Sequence, residues 1–456
     1  MKKLGIHIFR RDLRLEDNTA LNMIVSHVDT VLPVFIFDER QIAKHPYQST
    51  PGLQILIESL EDLDRELRER GSKLLVKYGV AEQVVAGLIQ ECSPVAISYN
   101  RDYTPFALKR DETIDKVCKQ NGVEVYAAHD VTLHAPGTVV SKEGKPYSVY
   151  TRYRIAVEAL PTPVPVKLSH DVSFTHVSGG LSLVHVAKQI LPEHKTLRVQ
   201  GGRAYAKEML RHLTSKHKYK AERDFPSINA TSLLSTHIKF GTLSIREIYY
   251  FAKHKMPEPK TFLQEILWHD FFTTVAALTP HVYQGAYRKE FDAIKWENDK
   301  HAFELWKQGM TGFPIVDAGM RELRETGYMH NRVRMIVASF LIKDLHINWQ
   351  WGEKYFATML SDYDPAVNNG NWQWVAGTGC DAAPWFRIFN PWLQQKKFDA
   401  DCAYIKQWVP ELKPLTSKDI HDEGGAARKE VGYPLPMCNH SEAARKTKML
   451  FGIIKK

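Results

Sequence analysis

The sequence predicts an α/β domain built on a doubly wound parallel sheet, followed by a larger domain made almost entirely of helices. Three observations support this fold class. Strand and helix patterns alternate through residues 1–130, prolines and glycines are concentrated in residues 131–203, and helical patterns dominate residues 204–456. We therefore predict two domains, at 1–130 and 204–456, and a connector at 131–203 that wraps around them or links them.

The first domain is predicted to contain five strands separated by helices. The helical spacing of leucines is clearest over Leu53–Arg70, which ends at Gly71, and Asn121-Gly122 marks the end of another helix. Strands that alternate with helices form parallel sheets with right-handed crossovers. The fingerprints GxGxxG and GxxxxGK[ST] do not occur, so the usual nucleotide-binding loops are not expected. The predicted strands are Leu4–Phe9, Thr30–Phe37, Lys73–Tyr78, Val95–Tyr99 and Val123–Ala128.

The composition indicates a globular protein with a polyanionic partner. The chain has 456 residues, a net charge of +9 and 44% hydrophobic residues. Positive charge favours nucleic acid as a partner, although many basic proteins bind none. The apolar runs are much shorter than the ~20 residues of a membrane helix, and residues 1–3 lead directly into a strand pattern. We therefore expect no membrane span, no signal peptide and a cytoplasmic location, with nuclear or organellar sites left open. The 5 cysteines are scattered without a CxxC, which argues against disulfides, zinc and iron–sulfur clusters.

All 10 tryptophans lie in the helical domain, between Trp268 and Trp408. Indole rings stack on flat partners and give up an electron more readily than aliphatic side chains do. Arg332, Arg334 and Arg387 lie in the same stretch. This part of the chain is therefore expected to bind flat and anionic partners.

Two motifs early in the helical domain have both a structural and a functional interpretation. The hydroxyls of Thr231–Ser235 can cap a helix or, with free backbone N–H groups, hold a phosphate. Spacings of three and four place Glu265, Trp268 and His269 on one helical face. A carboxylate beside an indole can bond a base edge while the ring stacks on the base. A half-buried amphipathic helix would show the same pattern.

Two later motifs indicate pairs of residues with divided roles. On a helix, Asn331, Arg334 and Met335 share a face and Arg332 lies about 100° from Asn331, so one arginine is expected to face inward and the other outward. A buried arginine needs a partner, and Asp362 is the expected one.

Trp372 and Trp374 are two residues apart, so their rings are expected to point to opposite sides and to serve different partners. Asp364 could ligate a metal. No cluster of histidine or glutamate supports that interpretation, and we expect no metal site.

The motifs together resemble the photolyase/cryptochrome flavoprotein family, and most closely its class I cyclobutane pyrimidine dimer photolyases. The resemblance covers nearly the whole chain, and its longest block reads GTGCDAAPWFRIFNP. The segments that carry it are Phe9–Leu15, Thr231–Ser235, His330–Met335, Asn368–Trp374, Gly377–Pro391 and Lys396–Asp399.

The resemblance implies that the helical domain holds FAD in a folded, U-shaped form. Asn368 matches the residue that faces the reactive ring nitrogen of the flavin. Positions that match contacts to the phosphates and ribose are Tyr219, Thr231, Ser232, Leu233, Leu234 and Ser235. Positions that match contacts around the flavin ring are Asn331, Arg334, Asp362, Tyr363, Asp364 and Asn368.

The resemblance also implies a DNA site and an electron path. Glu265 matches the residue that bonds the lesion and steadies its radical anion. His269 stands where relatives usually carry arginine, so this phosphate contact is expected to be weaker or to depend on pH. Positions that match DNA and lesion contacts are Arg223, Glu265, Trp268, His269, Arg332, Met335, Trp374, Arg387, Lys396 and Lys397. The matching electron path is Trp372, Trp349 and Trp296.

The function that the resemblance implies is light-dependent DNA repair, in which reduced FAD donates an electron that splits cyclobutane pyrimidine dimers. The expected partner is DNA that contains such dimers, and the chain is expected to be a monomer. The main alternative is a cryptochrome-type blue-light photoreceptor. Two others are an enzyme for (6-4) photoproducts, whose members generally have histidine where this chain has Asn331, and a DNA-binding flavoprotein without catalysis.

A second, antenna chromophore is left open. Folate-binding relatives have an Asn-Glu pair where this chain has Phe106-Ala107, and a Cys-Lys pair where it has Tyr283-Gln284. A deazaflavin is therefore expected before a folate, or no antenna at all.

Overall fold

The N-terminal part of the chain forms one five-stranded parallel sheet. The computed structural model describes residues 2–43, 45–168, 172–191 and 193–452. The order of the strands is β3-β2-β1-β4-β5, and every neighbouring pair is parallel. All five predicted strands are confirmed, with small shifts at their ends. They are β1 Leu4–Phe9, β2 Thr30–Asp38, β3 Leu75–Gly79, β4 Ala96–Asn100 and β5 Glu124–Ala128.

Helices cover both faces of this sheet, which explains why its central strands are almost wholly buried. The order of the strands reverses between β1 and β4, so the ends of these two strands open onto the crevice where α/β proteins commonly bind ligands. The helices of this part are α1 Thr19–Val25, α2 Glu39–Ile42, α3 Thr50–Glu69, α4 Ala81–Cys92 and α5 Pro105–Gln120. The helix predicted at Leu53–Arg70 and the helix end at Asn121 are thereby confirmed.

The predicted connector contains two helices that its proline and glycine content did not indicate. They are α6 Tyr150–Glu158 and α7 Leu183–Ile190. Val31 in β2 donates to the Ser173 carbonyl and accepts from the Thr175 amide, both at 2.9 Å, so the connector also runs beside the sheet. Because α7 packs on α3, this segment of the connector lies against the α/β part.

The rest of the described chain is helical, as predicted. Single turns of 3-10 helix and a π-helical segment at Phe340–Asp344 interrupt it. None of the helices in the described ranges has the length and hydropathy needed to span a bilayer. The α-helices are α8 Arg203–Arg211, α9 Tyr219–Glu222, α10 Ser235–Phe240, α11 Ile245–Lys255, α12 Pro259–Leu278, α13 Lys300–Gln308, α14 Pro314–Thr326, α15 Asn331–Ser339, α16 Trp349–Met359, α17 Pro365–Ala376, α18 Pro391–Phe398, α19 Ala403–Trp408, α20 Ser417–His421, α21 Ala426–Glu430 and α22 His440–Gly452.

Helix α17 lies between two large apolar clusters. Trp372 belongs to a cluster that also contains Trp306 and Trp349, whereas Trp374 packs against a second cluster that contains Phe271. The prediction that the two tryptophans point to opposite sides is therefore confirmed.

Candidate cofactor and DNA site

A cavity of ≈ 500 Å³ in the helical part brings most of the predicted site residues together. This volume lies in the range of small-molecule and cofactor sites. Five separate segments of the chain contribute to its walls, so the motifs converge in space although they are far apart in sequence. The predicted residues that line it are Tyr219, Arg223, Thr231, Ser232, Leu233, Leu234, Ser235, Glu265, Trp268, His269, Asn331, Arg332, Arg334, Met335, Asp362, Tyr363, Asp364, Asn368, Trp372 and Trp374.

One end of the cavity is formed by the segment before α10. Leu233 has a φ of 57° and Leu234 follows in the right-handed region, an alternation that turns successive backbone N–H groups toward a common anion. The interpretation of this segment as a helix cap is wrong, because α10 begins only at Ser235 and its N-cap, Leu234, makes no side-chain cap bond. The Ser235 hydroxyl instead donates to Asp362 Oδ2 at 2.6 Å.

The predicted pair of Arg334 and Asp362 is confirmed. Two guanidinium nitrogens lie 3.0 and 3.2 Å from the carboxylate, and Arg334 Nε donates to the Met329 carbonyl at 2.8 Å. Burial alone would lower the pKa of Arg334, but Asp362 raises it above its usual value, so this arginine is charged. The pair fixes a planar cation in the cavity wall.

Asp364 joins the cavity to the α/β part of the chain. It caps α17 by accepting from the amides of Ala366 at 3.0 Å and Val367 at 3.1 Å. It also accepts from Arg11, which follows β1 and bonds Asp102 at 3.1 Å. Burial alone would raise the pKa of Asp364, but Arg11 holds it well below its usual range. The sequence identified Arg11 as part of a motif but did not predict this contact.

Asn368 also lines the cavity, and the buried carboxyl group of Glu353 holds it. Its amide nitrogen donates to the Glu353 carbonyl at 3.0 Å and to Glu353 Oε1 at 2.9 Å. Glu353 lies on α16 and is 6% exposed. Burial raises the pKa of Glu353 to about 7, although the bond from Asn368 lowers it. Sequence reasoning missed Glu353.

Glu265 and Trp268 on α12 are both supported by other segments. Glu265 forms an ion pair with Arg223, so two predicted DNA contacts also bind each other. Trp268 stacks on Tyr150 of α6, with ring centroids 3.7 Å apart and an angle of 10° between the planes. His269 Nδ1 lies 3.2 Å from Asp270 Oδ1. Sequence reasoning missed Tyr150.

The division of Arg332 and Arg334 between outside and inside is not observed, because both line the cavity. Arg332 pairs with Asp224 at 2.9 Å and lies 4.5 Å from the ring of Phe398.

The remaining predicted DNA contacts lie outside the cavity and are exposed: Arg387, Lys396 and Lys397.

Comparison with known proteins shows the family. Residues 5–168 match the family model described as DNA photolyase, and residues 262–452 match the one described as FAD binding domain of DNA photolyase. Together these matches cover most of the chain. The chain belongs to the DNA photolyase family.

Relatives in this family align with almost the full chain. A deoxyribodipyrimidine photo-lyase of Agrobacterium fabrum is 37% identical over 98% of this chain and 97% of its own length. The structure of an archaeal photolyase from Sulfolobus tokodaii, described as containing two FAD molecules, has a TM-score of 0.90 at 43% identity and covers 99% of this chain and 100% of its own. A Synechocystis cryptochrome has a TM-score of 0.89 at 29% identity and covers 98% of this chain and 99% of its own.

The cavity suits the FAD that this photolyase-family domain binds. Backbone amides and hydroxyls of Thr231–Ser235 would hold phosphates, and Arg334 with Asp362 would bond the polar edge of a flat ring. Buried Nε atoms of Arg223 and Arg332, both residues of the cavity wall, have no partner in the described part of the chain. Such atoms are expected where a ligand or water completes the hydrogen bonds.

The three tryptophans of the predicted electron path lie in or against one apolar cluster. Trp372 and Trp349 are 3% and 4% exposed, and Trp296 packs against the same cluster near Phe451. The ring of Trp372 also contacts Trp306 at 6.3 Å between centroids. Their order as an electron path stays a prediction for this photolyase-family chain.

Proposed function

We propose that this protein is a deoxyribodipyrimidine photo-lyase, an enzyme that uses blue light to split cyclobutane pyrimidine dimers in DNA. The observation that carries the proposal is the set of residues that line one cavity. It brings the carboxylate of Glu265 and the rings of Trp268 and Trp374 together with Asn368 and Arg334, which match flavin-ring contacts. A lesion placed there would lie against the cofactor. When bound, reduced FAD supplies the photoexcited electron donor.

The chain's own residues bind and orient the lesion. Glu265 would accept a hydrogen bond from the imide edge of a pyrimidine, and its ion pair with Arg223 holds the side chain in place. Trp268 and Trp374 provide flat apolar walls, and the stack with Tyr150 fixes the plane of Trp268. Positioning and electrostatics are thus the protein's contribution, and the cofactor carries the redox chemistry.

DNA binding is proposed to depend on three exposed cations of the helical part. Arg387, Lys396 and Lys397 are exposed and would contact phosphates without reading the sequence. Photolyases take the damaged bases out of the duplex, which costs least where pairing and stacking are already impaired. The protein is proposed to act as a monomer in the cytoplasm, with domains at 1–130 and 204–456.

The antenna chromophore is proposed to be a deazaflavin or a second flavin. The Sulfolobus tokodaii relative is described as holding two FAD molecules, and it is 43% identical to this chain. Quantitative release of bound chromophores, with separation of FAD, deazaflavin and folate, distinguishes the possibilities. Two equivalents of FAD for each chain would favour the second flavin, and one equivalent with no other pigment would show that no antenna is bound.

The experiment that tests the function is blue-light treatment of an oligonucleotide with one defined thymine dimer. Dark samples and a (6-4) photoproduct substrate run in parallel. Repair of the dimer only, and only in light, is the expected result, and Glu265→Ala should lower repair per absorbed photon without loss of FAD. The similarity to the Synechocystis cryptochrome favours a photoreceptor as the second candidate. A flavin that is photoreduced while both lesions persist would favour that candidate and refute the repair function.

A further inference from the structure

The contact between Glu353 and Asn368 has a chemical consequence for the cavity. A side-chain amide has two N–H donors on nitrogen and one acceptor oxygen. Asn368 directs its nitrogen at two acceptors of one residue, the backbone carbonyl and Oε1 of Glu353, at 3.0 and 2.9 Å. A backbone carbonyl can only accept, so the nitrogen must lie on this side whatever the protonation state of the carboxyl group. The amide oxygen is therefore left to face the cavity that Asn368 lines.

An acceptor oxygen at this position favours one protonation state of the ligand nitrogen that it contacts. A ring nitrogen that carries hydrogen can donate to it, whereas a bare ring nitrogen would meet lone pair against lone pair. We propose that Glu353 is a positioning residue for the bound flavin. Glu353 acts through Asn368 to favour a protonated ring nitrogen, and the negative charge of Glu353 disfavours an anionic flavin ring. The inference deepens the proposed function and rests on FAD binding in this cavity.

The charge of Glu353 is the adjustable part of this arrangement. Asp362 pairs with Arg334, and Asp364 pairs with Arg11, whereas the hydrogen-bond partners of the Glu353 carboxyl in the described chain are neutral. Those partners are the amide of Asn368 and the hydroxyl of Tyr47, which comes from the α/β part. Burial raises the pKa of Glu353 to about 7, so the group is ionised above neutrality and protonated below it.

The other titratable groups near Glu353 stay in one state over this range or are common to all variants. Burial raises the pKa of Tyr47 to about 12 and those of Tyr283 and Tyr363 higher still, so these hydroxyls remain protonated. Lys354 lies 5.8 Å from the ring of Tyr47. Burial lowers the pKa of Lys239, beside Asp364, to about 8, so this lysine contributes a separate titration that a Glu353 variant would retain.

The same geometry determines how reduction of the flavin affects the protonation of Glu353. An external one-electron donor, such as a reduced viologen, adds an electron to the bound flavin. The added negative charge raises the proton affinity of Glu353, which takes a proton from water. The midpoint potential should therefore fall as pH rises through neutrality, beyond the dependence that the flavin itself shows. Replacing the carboxyl group by an amide removes this part and leaves an acceptor for Asn368.

The test compares the flavin midpoint potential against pH in the parent protein, Glu353→Gln and Glu322→Gln. Glu322 is a matched control, because burial raises its pKa to about 7 as well, but it bonds Tyr404 at 2.6 Å and not Asn368. Between about pH 6 and pH 8, we expect the midpoint potential of the parent to fall by about 59 mV more than that of Glu353→Gln. This difference corresponds to a tenfold change in the one-electron equilibrium constant. Glu322→Gln should retain the parent's profile.

A second variant provides an independent readout. The Tyr47 hydroxyl lowers the pKa of Glu353, so Tyr47→Phe should move the break in the profile to higher pH. Tyr47 is 39% exposed, so this replacement tests the inference even if Glu353→Gln lowers the folded yield. Identical profiles for the parent, Glu353→Gln and Tyr47→Phe, in protein that binds FAD and repairs dimers, would overturn the inference alone. Failure to bind FAD would instead overturn the proposed function.

Discussion

The ion pair of Arg11 with Asp364 predicts a measurable link between the α/β part and the cavity wall. The side chains of Arg11 and Asp364 are 16% and 8% exposed. Arg11→Met would remove bonds to Asp364, to Asp102 at 3.1 Å and to the Lys239 carbonyl at 3.2 Å. Removing one partner of a buried ion pair destabilises proteins by about 3–5 kcal/mol. Asp364 would retain the amides of α17, so we expect the lower end, about 3 kcal/mol.

The position of the tryptophans makes the assay specific. All 10 lie between residues 268 and 408, so their fluorescence reports on the helical part, whereas far-ultraviolet circular dichroism reports on the whole chain. The guanidinium midpoint of the fluorescence transition should fall by about half a molar unit, given a slope of about 4–6 kcal/mol per molar. Arg65→Met is the control, since this arginine is 62% exposed and pairs only at the surface.

A rescue variant separates the ion pair from simple loss of packing. In Arg11→Met with Asp364→Asn, the Asp364 carboxylate is removed together with its cation, so that only Asp102 loses a charged partner, and asparagine remains a good N-cap for α17. This double variant should regain about 1–2 kcal/mol relative to Arg11→Met alone. A loss below about 1 kcal/mol in the single variant, or no recovery in the double variant, would refute the reasoning. The difference between the parent and Arg11→Met should also shrink below about pH 4, where an unfolded aspartate is protonated.

Three further predictions concern DNA and electron transfer. Tyr150→Leu should weaken binding of dimer-containing DNA by about threefold to tenfold, because aromatic pairs contribute about 0.5–1.5 kcal/mol, and it should leave FAD content unchanged. Fluorescence anisotropy measures the binding. The control Tyr150→Phe keeps the stack on Trp268 and should bind like the parent. Arg387→Ala should reduce the slope of log binding constant against log salt by about one, whereas Lys116→Ala, on α5 of the α/β part, should leave the slope unchanged. Trp372→Phe should slow photoreduction of the flavin in transient absorption, and an unchanged rate would reassign the electron path.

The sequence predicted elements and faces well because both depend on local periodicity. The five strands are short apolar runs between turn signals, and helical spacing correctly placed Glu265 and Trp268 on one face. Prediction was less reliable in the connector, where the proline and glycine content did not indicate helices. Helices α6 and α7 were missed because the prolines and glycines of the connector flank them and do not lie within them.

Contacts between distant segments could not be predicted from spacing. Arg11 and Asp364 are separated by 353 positions, and periodicity on one element does not determine which element packs against it. Glu353 had a local signal that was overlooked. It falls in the buried stripe formed by Trp349, Gly352 and Phe356 on α16, where a carboxylate is unexpected without a partner.

Asp362, Asp364 and Glu353, which line the cavity or bond a residue that lines it, have different charge constraints. Asp362 and Asp364 each form an ion pair with an arginine. Glu353 is held by an amide and a hydroxyl, and burial raises its pKa to about 7. Fixed pairs suit the binding and orientation of a cofactor, because their geometry does not change with pH. A carboxyl group without a cation can instead follow the charge of its neighbour. Under the proposed role of Glu353, the paired carboxylates would orient the flavin, and Glu353, which bonds Asn368 of the cavity wall, would adjust to its oxidation state.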